Sequence, residues 1–553
     1  DEVRAVNVWP DNPKGYGAEG MKYRFQWNFP IFYSPHDPNK LYVASNHLHV
    51  SNDMGASWEI ISPDLTRNDS ARLVSSGGPI TQDNTGVEYY CTIFATTESP
   101  YEKDLLWAGS DDGLMHVSKD GGKNWDNVTP SDMPEWMMFN SVDPDPFEDG
   151  AAFVAGTRYK LGDYTPYLYH VTNYGKNWKK ITSGIDGEHF TRVVRADPDK
   201  EGLLYAGTET GMYISFDEGN SWKPFQLNLP TVPITDLTLK NKNLVVATQG
   251  RSLWIIDDLT PLHQLTDQVA SADKHLFMPM DSYRMRGGSS SRPNYREGKN
   301  HPGGVMTYFY MANEPDSNGV ELVYLTESGE EIRRFSTKAK EKADKLEAKQ
   351  GMNYFNWNMR YANAESFKGL IMWAGRLTGP QAVPGVYRVR MVAGPDSMEQ
   401  TFNILKDPRT DATIVDMQKQ FDMLIGVRDK LTETHQAIKD IRDHKEHMGG
   451  YTARLKDEED MKAILEAAEG IEKRISMIEK SLYQTKNRSR QDPLNFPIKL
   501  NNKLAHLSRL VGVGDGAPTQ QAQEFYKEVT EKIDEQLGSW YEVVENDVPK
   551  LND

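Results

Sequence analysis

The residues best suited to chemistry in this sequence are carboxylates that recur. Four segments, SNDMGASW (51–58), SKDGGKNW (118–125), VTNYGKNW (171–178) and SFDEGNSW (215–222), share the form Ser-x-Asp-x-Gly-x-x-Trp. Ser51 with Asp53, Ser118 with Asp120 and Ser215 with Asp217 keep the first two positions, whereas the third copy has Val171 and Asn173 there. Paired carboxylates are the machinery of glycoside hydrolysis, so a repeated Asp invites that reading. Repetition counts against it, because one catalytic centre cannot use several copies of the same group. The aspartates and serines are expected to hold turn N–H groups instead. Gly55, Gly122, Gly175 and Gly219 would supply the positive-φ positions of those turns. Trp58, Trp125, Trp178 and Trp222 would return the chain to a sheet and bury their rings. The same reasoning discounts Asp111, Asp112 and Glu209, since GSDDGL and GTETGM read as equivalent hairpin turns.

Other reactive side chains lack companions. A sialidase needs an arginine cluster for its substrate carboxylate and a Tyr nucleophile with a Glu partner. Arg24, Arg67, Arg158, Arg192, Arg195 and Arg251 are scattered, and no Phe-Arg-Ile-Pro segment exists. The unrepeated Glu88 and Glu188 are candidates for a two-carboxylate glycosidase, against a plainer reading as surface residues. His47 with His49, and His444 with His447, have no identifiable third metal ligand. Cys91, within EYYCTIFATT, reads as a buried core thiol. No Walker loop, Gly-x-Ser-x-Gly or His-Glu-x-x-His is present. No catalytic, cofactor-binding or metal-binding residue is therefore assigned, and no cofactor is expected.

The elements that position the recurring motif are short strands ending in small residues: LYVAS (41), LLWAGS (105), AFVAGT (152), LLYAGT (203) and LVVATQG (244). The last runs into RSLWIIDD with no further copy of the motif. Asp- and Pro-rich turns, SPHDPNK, VDPDPFEDG and ADPDKEG, lie upstream. Repeats of about 45 to 65 residues with three or four strands are the signature of propeller blades. The motif resembles the Asp-box of bacterial neuraminidases, and the stretch from RFQWNFPIFYSPHDPNK to ATQGRSLWIIDDLTPL resembles the sortilin-like propellers of bacteria, often labelled glycosyl hydrolase. That resemblance implies polypeptide binding. Five blades are visible, and the first twenty residues carry no strand pattern. An N-terminal fragment is expected to complete the propeller, because an open ring exposes sheet faces.

The expected fold class is mainly β and multidomain: Asp-box propeller blades over 1–262, a linker over 263–302, an immunoglobulin-like β-sandwich over 303–410 and an antiparallel helical bundle over 411–553. GMNYFNWNMR followed by VPGVYRVRMVAG resembles the immunoglobulin-like fold of the flagellar hook-capping protein. In the last region Met417, Phe421, Leu424 and Leu431, and later Ile471, Ile475, Ile478 and Leu482, fall at helical steps.

With 553 residues, 38% hydrophobic, the chain can form several cores. A net charge of −17 argues against nucleic acid as a partner, and no run of about 18 apolar residues spans a bilayer. Asp69-Ser70-Ala71 and Asp396-Ser397-Met398 match the short O-glycosylation pattern of Bacteroidetes, which makes Ser70 and Ser397 candidate acceptors. The expected function is a non-catalytic protein- or peptide-binding scaffold of the bacterial envelope, periplasmic or secreted, with a signal peptide upstream. The alternatives are a glycoside hydrolase on the same blades and a structural subunit of an outer-membrane or secretion complex.

Overall fold

The structure is a computed structural model that describes residues 3–285, 298, 300–455 and 457–552. It divides into two compact units, Asp1–Leu259 and Thr260–Asp553.

The first unit is a succession of antiparallel sheets, each built from strands consecutive in sequence. The first sheet holds β1 (Ile31–Tyr33), β2 (Leu41–Ala44), β3 (Leu48–Ser51) and β4 (Glu59–Ile60). The second holds β5 (Ile93–Glu98), β6 (Leu106–Ser110), β7 (Met115–Ser118) and β8 (Asp126–Asn127). The third holds β9 (Met138–Pro144), β10 (Ala152–Arg158), β11 (Asp163–Thr172) and β12 (Asn177–Lys180). The fourth holds β13 (Thr191–Ala196), β14 (Leu204–Thr208), β15 (Met212–Ser215) and β16 (Lys223–Pro224). The fifth has three strands, β17 (Ile234–Lys240), β18 (Asn243–Thr248) and β19 (Leu253–Ile256). Successive first strands β5, β9, β13 and β17 are neighbours, which is the arrangement of propeller blades.

Apolar cores lie between blades. Tyr42, Leu48 and Val50 of blade 1 meet Ile93, Leu106 and Ala108 of blade 2. Phe153 and Leu168 of blade 3 meet Val194, Leu204 and Trp222 of blade 4. The small residues closing the second strands follow from this packing. A Cβ on Gly109 would lie 2.7 Å from the Phe139 Cβ of the next blade, and one on Gly207 would lie 2.6 Å from Ile234.

The turn glycines make a second repeated contact. The Trp125, Trp178 and Trp222 indoles donate to the carbonyls of Ile61, Val128 and Ile181, each the residue just past the outer strand of the preceding blade. In blade 1 the same socket is filled from the N-terminal segment. The Trp58 indole donates to the Val6 carbonyl at 3.0 Å, and a Cβ on Gly55 would lie 2.6 Å from Val6. The open edges carry exposed apolar residues: Ile31 and Tyr33 on β1, Leu253 and Ile255 on β19.

In the second unit, β20 (Lys274–Leu276), β22 (Val305–Met311) and β25 (Gly351–Trp357) form one sheet. The other has the order β21 (Ser282–Arg284), β27 (Asp396–Lys406), β26 (Gly385–Ala393), β23 (Val320–Thr326), β24 (Glu331–Ser336), with β21 parallel to β27. Both sheets contribute to one core around Phe309, Tyr324, Trp357 and Phe402. The segment read as a linker thus supplies two short strands, β20 and β21. Each is three residues long, too short to show alternation in sequence. Residues 286–297, the Gly- and Ser-rich part of that segment, lie outside the described residues.

Helices Ile414–Leu455, Lys462–Leu482, Leu500–Val511 and Gln520–Glu542 share a further core. Ala364 and Phe367 join it from the long connection between β25 and β26, so the helical core draws on residues before 411. Among the described residues no helix is long and apolar enough to cross a membrane.

Candidate mouth of the blade unit

The inner strands of the blades line a cavity of about 790 Å³ that includes Trp27, Phe94, Asn140, Arg192, Arg195 and Asp236. A second cavity of about 210 Å³ shares Met138, Tyr159 and Lys160 with it and adds Arg72, Tyr90, Asp111, Trp136 and Arg158. The loops that enter blades 2 and 3 and the β6–β7 and β10–β11 turns form this mouth. Each cavity has a single carboxylate among its lining residues, Asp236 in the larger and Asp111 in the smaller.

Asp111 follows β6 and is 3% exposed. Its carboxylate oxygens accept from the Thr92 N–H at 2.9 Å and the Thr92 hydroxyl at 2.8 Å. Burial outweighs these bonds and pushes the carboxyl up to about 7. The adjacent Asp112 accepts from the Arg67 N–H and the Ser110 hydroxyl, and burial raises it too. Cys91 is fully buried beside Leu73 and Tyr89. Burial first, and the Asp112 charge second, push its thiol up to about 12, which favours the protonated form.

The walls are aromatic and cationic. Tyr90 stacks on Trp136 with ring centroids 6.0 Å apart, and the Arg67 and Arg72 guanidiniums lie over the Trp136 ring at 5.0 and 5.1 Å. Trp136 and Cys91 both adopt φ of +63°, a region that bulky side chains rarely enter.

The turns GSDDGL and GTETGM are equivalent in backbone and differ in side chain. Backbone bonding does repeat at the turns: Asp111, Glu209 and Gln249 each donate N–H to the residue preceding their blade's first strand, namely Thr92, Phe190 and Pro233. The side chains do not repeat. Glu209 is ion-paired to Arg192 at 2.6 Å, whereas Asp111 is buried against a cavity. Equivalence of the turn therefore does not discount Asp111. The available signal was an unmatched side chain at a matched turn position.

The recurring motif lies elsewhere, between the third and fourth strands, and none of its residues lines either cavity. The Ser51 hydroxyl donates to Asp53 at 2.8 Å and accepts from the Gly55 N–H at 2.7 Å, while Asp53 accepts from the Ser57 N–H at 2.9 Å. Ser118, Asp120 and Gly122 repeat this pattern with Asn124, and Ser215, Asp217 and Gly219 repeat it with Ser221. The Ser57 hydroxyl and the Asn124 amide hold Asp53 and Asp120 down at about 2. Burial alone would raise Asp217, but its bonds from Ser221 and Ser215 outweigh that and lower it. In the third copy Asn173 and Tyr174 take φ of +51° and +54°, and the Trp178 indole reaches Val128 as elsewhere.

The remaining candidates are dispersed. Glu88 and Glu188 are exposed, with Glu88 accepting from the Trp27 indole. His49 is buried, which lowers its imidazole to about 4, and its Nε2 meets the Ser45 hydroxyl. Asp145, Glu148 and His170 of blade 3 lie close together without a sequence motif to announce them. His170 there meets Asp145 at 3.0 Å, while Asp145 also accepts from the Phe147 N–H of its own turn. Ser70 and Ser397 are both exposed.

No protein-family model matches the chain. Over 164 residues it is 29% identical to a protein of Neosartorya fischeri described as "Probable oligoxyloglucan-reducing end-specific xyloglucanase", a match covering 27% of this chain and 17% of that protein. The chain thus spans about a sixth of the length of this relative. Among solved structures it is similar to the GH74 xyloglucanase of Xanthomonas campestris, at 17% identity and TM-score 0.31 over 41% of this chain and 36% of that one. It is also similar to the Niastella koreensis GH74 enzyme, at 11% identity and TM-score 0.32 over 67% and 56% of the two chains.

Proposed function

We propose that the blade unit is a glycoside-hydrolase-like propeller that takes a polysaccharide at its mouth, with Asp111 as the proton donor. The observation that carries this reading is a buried carboxyl, up to about 7, in the wall of an aromatic-lined cavity. A glycosidase acid must reach the substrate still protonated near neutral pH, and burial in apolar surroundings achieves that. Tyr90 and Trp136 give the same cavity an aromatic wall against which a sugar can lie. Asp236, on inner strand β17, is the candidate for the companion carboxylate that the reaction class requires. The xyloglucanase relative supports a polysaccharide as the substrate class.

A second reading is non-catalytic capture of a polypeptide, the function implied by the sortilin-like resemblance. Its support is the exposed apolar rim of the larger cavity, where Trp27 is 64% and Ile31 58% exposed.

Both readings share the remaining assignments. The recurring Ser, Asp, Gly and Trp residues are structural, and the second unit is an immunoglobulin-like sandwich followed by a helical bundle. The protein is secreted or periplasmic, with Ser70 and Ser397 as glycan acceptors. Further blades from an N-terminal fragment complete the propeller. Val6 in a socket that other blades fill with the end of a preceding blade supports that last point, as does the three-stranded blade 5.

Incubation with xyloglucan and with uronic-acid polymers, followed by reducing-end assay, tests the leading reading. It expects release by the wild type and loss in Asp111→Asn with binding kept. Neither release nor binding of any polysaccharide, with binding of a peptide instead, would favour the second reading.

A further inference from the structure

We infer that the polysaccharide taken at the mouth is acidic, with a carboxylate seated between Lys160 and Arg72. This rests on the polysaccharide reading and deepens it.

Five cations line the two cavities: Arg72, Arg158, Lys160, Arg192 and Arg195. Three are neutralised from within the chain. Arg158 pairs with Asp163 at 2.6 Å, Arg192 with Glu209 at 2.6 Å and Arg195 with Asp236 at 2.8 Å. Among the described residues Arg72 and Lys160, both exposed, form no ion pair with a carboxylate, in a chain of net charge −17. Both face the smaller cavity, where Lys160 acts on the Asp111 carboxyl and Arg72 on the Tyr90 phenol. Their supports are local. Arg72 sits on the short helix Ser70–Leu73 with its guanidinium over Trp136, and Lys160 sits in the turn Tyr159–Leu161, closed by Gly162 at φ +75°.

A neutral sugar gains only hydrogen bonds from these two cations. A uronate gains charge-assisted bonds to both. Asp111 does not oppose it while protonated. The left-handed backbones of Trp136 and of Cys91, next to Tyr90, place strained positions on both sides of the same cavity, where strain tends to accompany a site.

The test is binding, by calorimetry on the full chain, of galacturonate and mannuronate oligomers, an uncharged xyloglucan oligosaccharide and an acidic peptide. The wild type should prefer a uronate oligomer to the neutral one, with salt weakening the preference. Lys160→Gln with Arg72→Gln should cut that preference about tenfold or more, while the thermal melt shows the fold retained. If the neutral oligosaccharide binds equally well, or the double variant keeps the wild-type preference, the inference fails while the polysaccharide reading stands. If the acidic peptide alone binds, both fail.

Discussion

Asp111 and Asp120 stand at the two ends of one strand, β7, and their carboxyls shift in opposite directions. Asp120, in the β7–β8 turn, is held near 2 by the Asn124 amide and N–H and the Ser118 hydroxyl. Asp111, in the β6–β7 turn, is buried and pushed up to about 7 although Thr92 gives it two hydrogen bonds. One end of the strand uses its carboxylate as a charged acceptor that closes a turn, which the solvent tolerates. The other end buries a carboxyl where the charge is costly, against a cavity, with aromatic rings and cations around it. A shared residue type and a shared hairpin geometry thus say little about role; desolvation and neighbours decide it.

The sharpest way to break this comparison is to neutralise each carboxylate in turn. Asp111→Asn should lower polysaccharide turnover by about 10²- to 10⁴-fold, while Asp120→Asn should leave turnover near wild type and act on the thermal melt. The next largest effect tests the structural side. Trp222 is buried between blades 3 and 4 and donates to the Ile181 carbonyl at 2.7 Å. Trp222→Ala should destabilise the blade unit by about 3–5 kcal/mol in denaturant titration.

A third prediction uses pH. The folded carboxyl of Asp111 lies above its ordinary value, so the native state binds the extra proton between about 4 and about 7. Its contribution to stability is complete below that window and is lost as pH rises through it, by a few kcal/mol at most. Asp111→Asn should flatten this part of the stability profile. Asp53 and Asp120 have the opposite sign, contributing stability that disappears as pH falls from about 4 towards 2. The smallest effect is expected at Gly219, at φ +78° with its Cβ position 2.7 Å from the Ile181 side chain. Gly219→Ala should cost about 1–2 kcal/mol, read from the midpoint of unfolding.

The blades were legible because period, strand and turn repeat together. Even the truncated fifth blade shows, since RSLWIIDD lacks the motif and β19 ends a three-stranded sheet. The socket holding Val6 was not legible: it is one residue, recognised only when Ile61, Val128 and Ile181 are seen in the same contact. Strands β20 and β21 are not legible because three residues carry no period. The depth of Asp111 is not legible either, because its turn matches that of Glu209, and sequence shows the turn but not how deep the side chain sits. The pairing of Arg158, Arg192 and Arg195 that leaves Lys160 and Arg72 unpaired is likewise a property of the folded mouth.

The central claim, that Asp111 works as an acid while the turn aspartates hold the fold, is tested most directly by the pH dependence of polysaccharide cleavage. The account predicts a rate that falls as pH rises past about 7, with that limb abolished along with turnover in Asp111→Asn and unchanged in Asp120→Asn. A descending limb that persists in Asp111→Asn with turnover intact would contradict it.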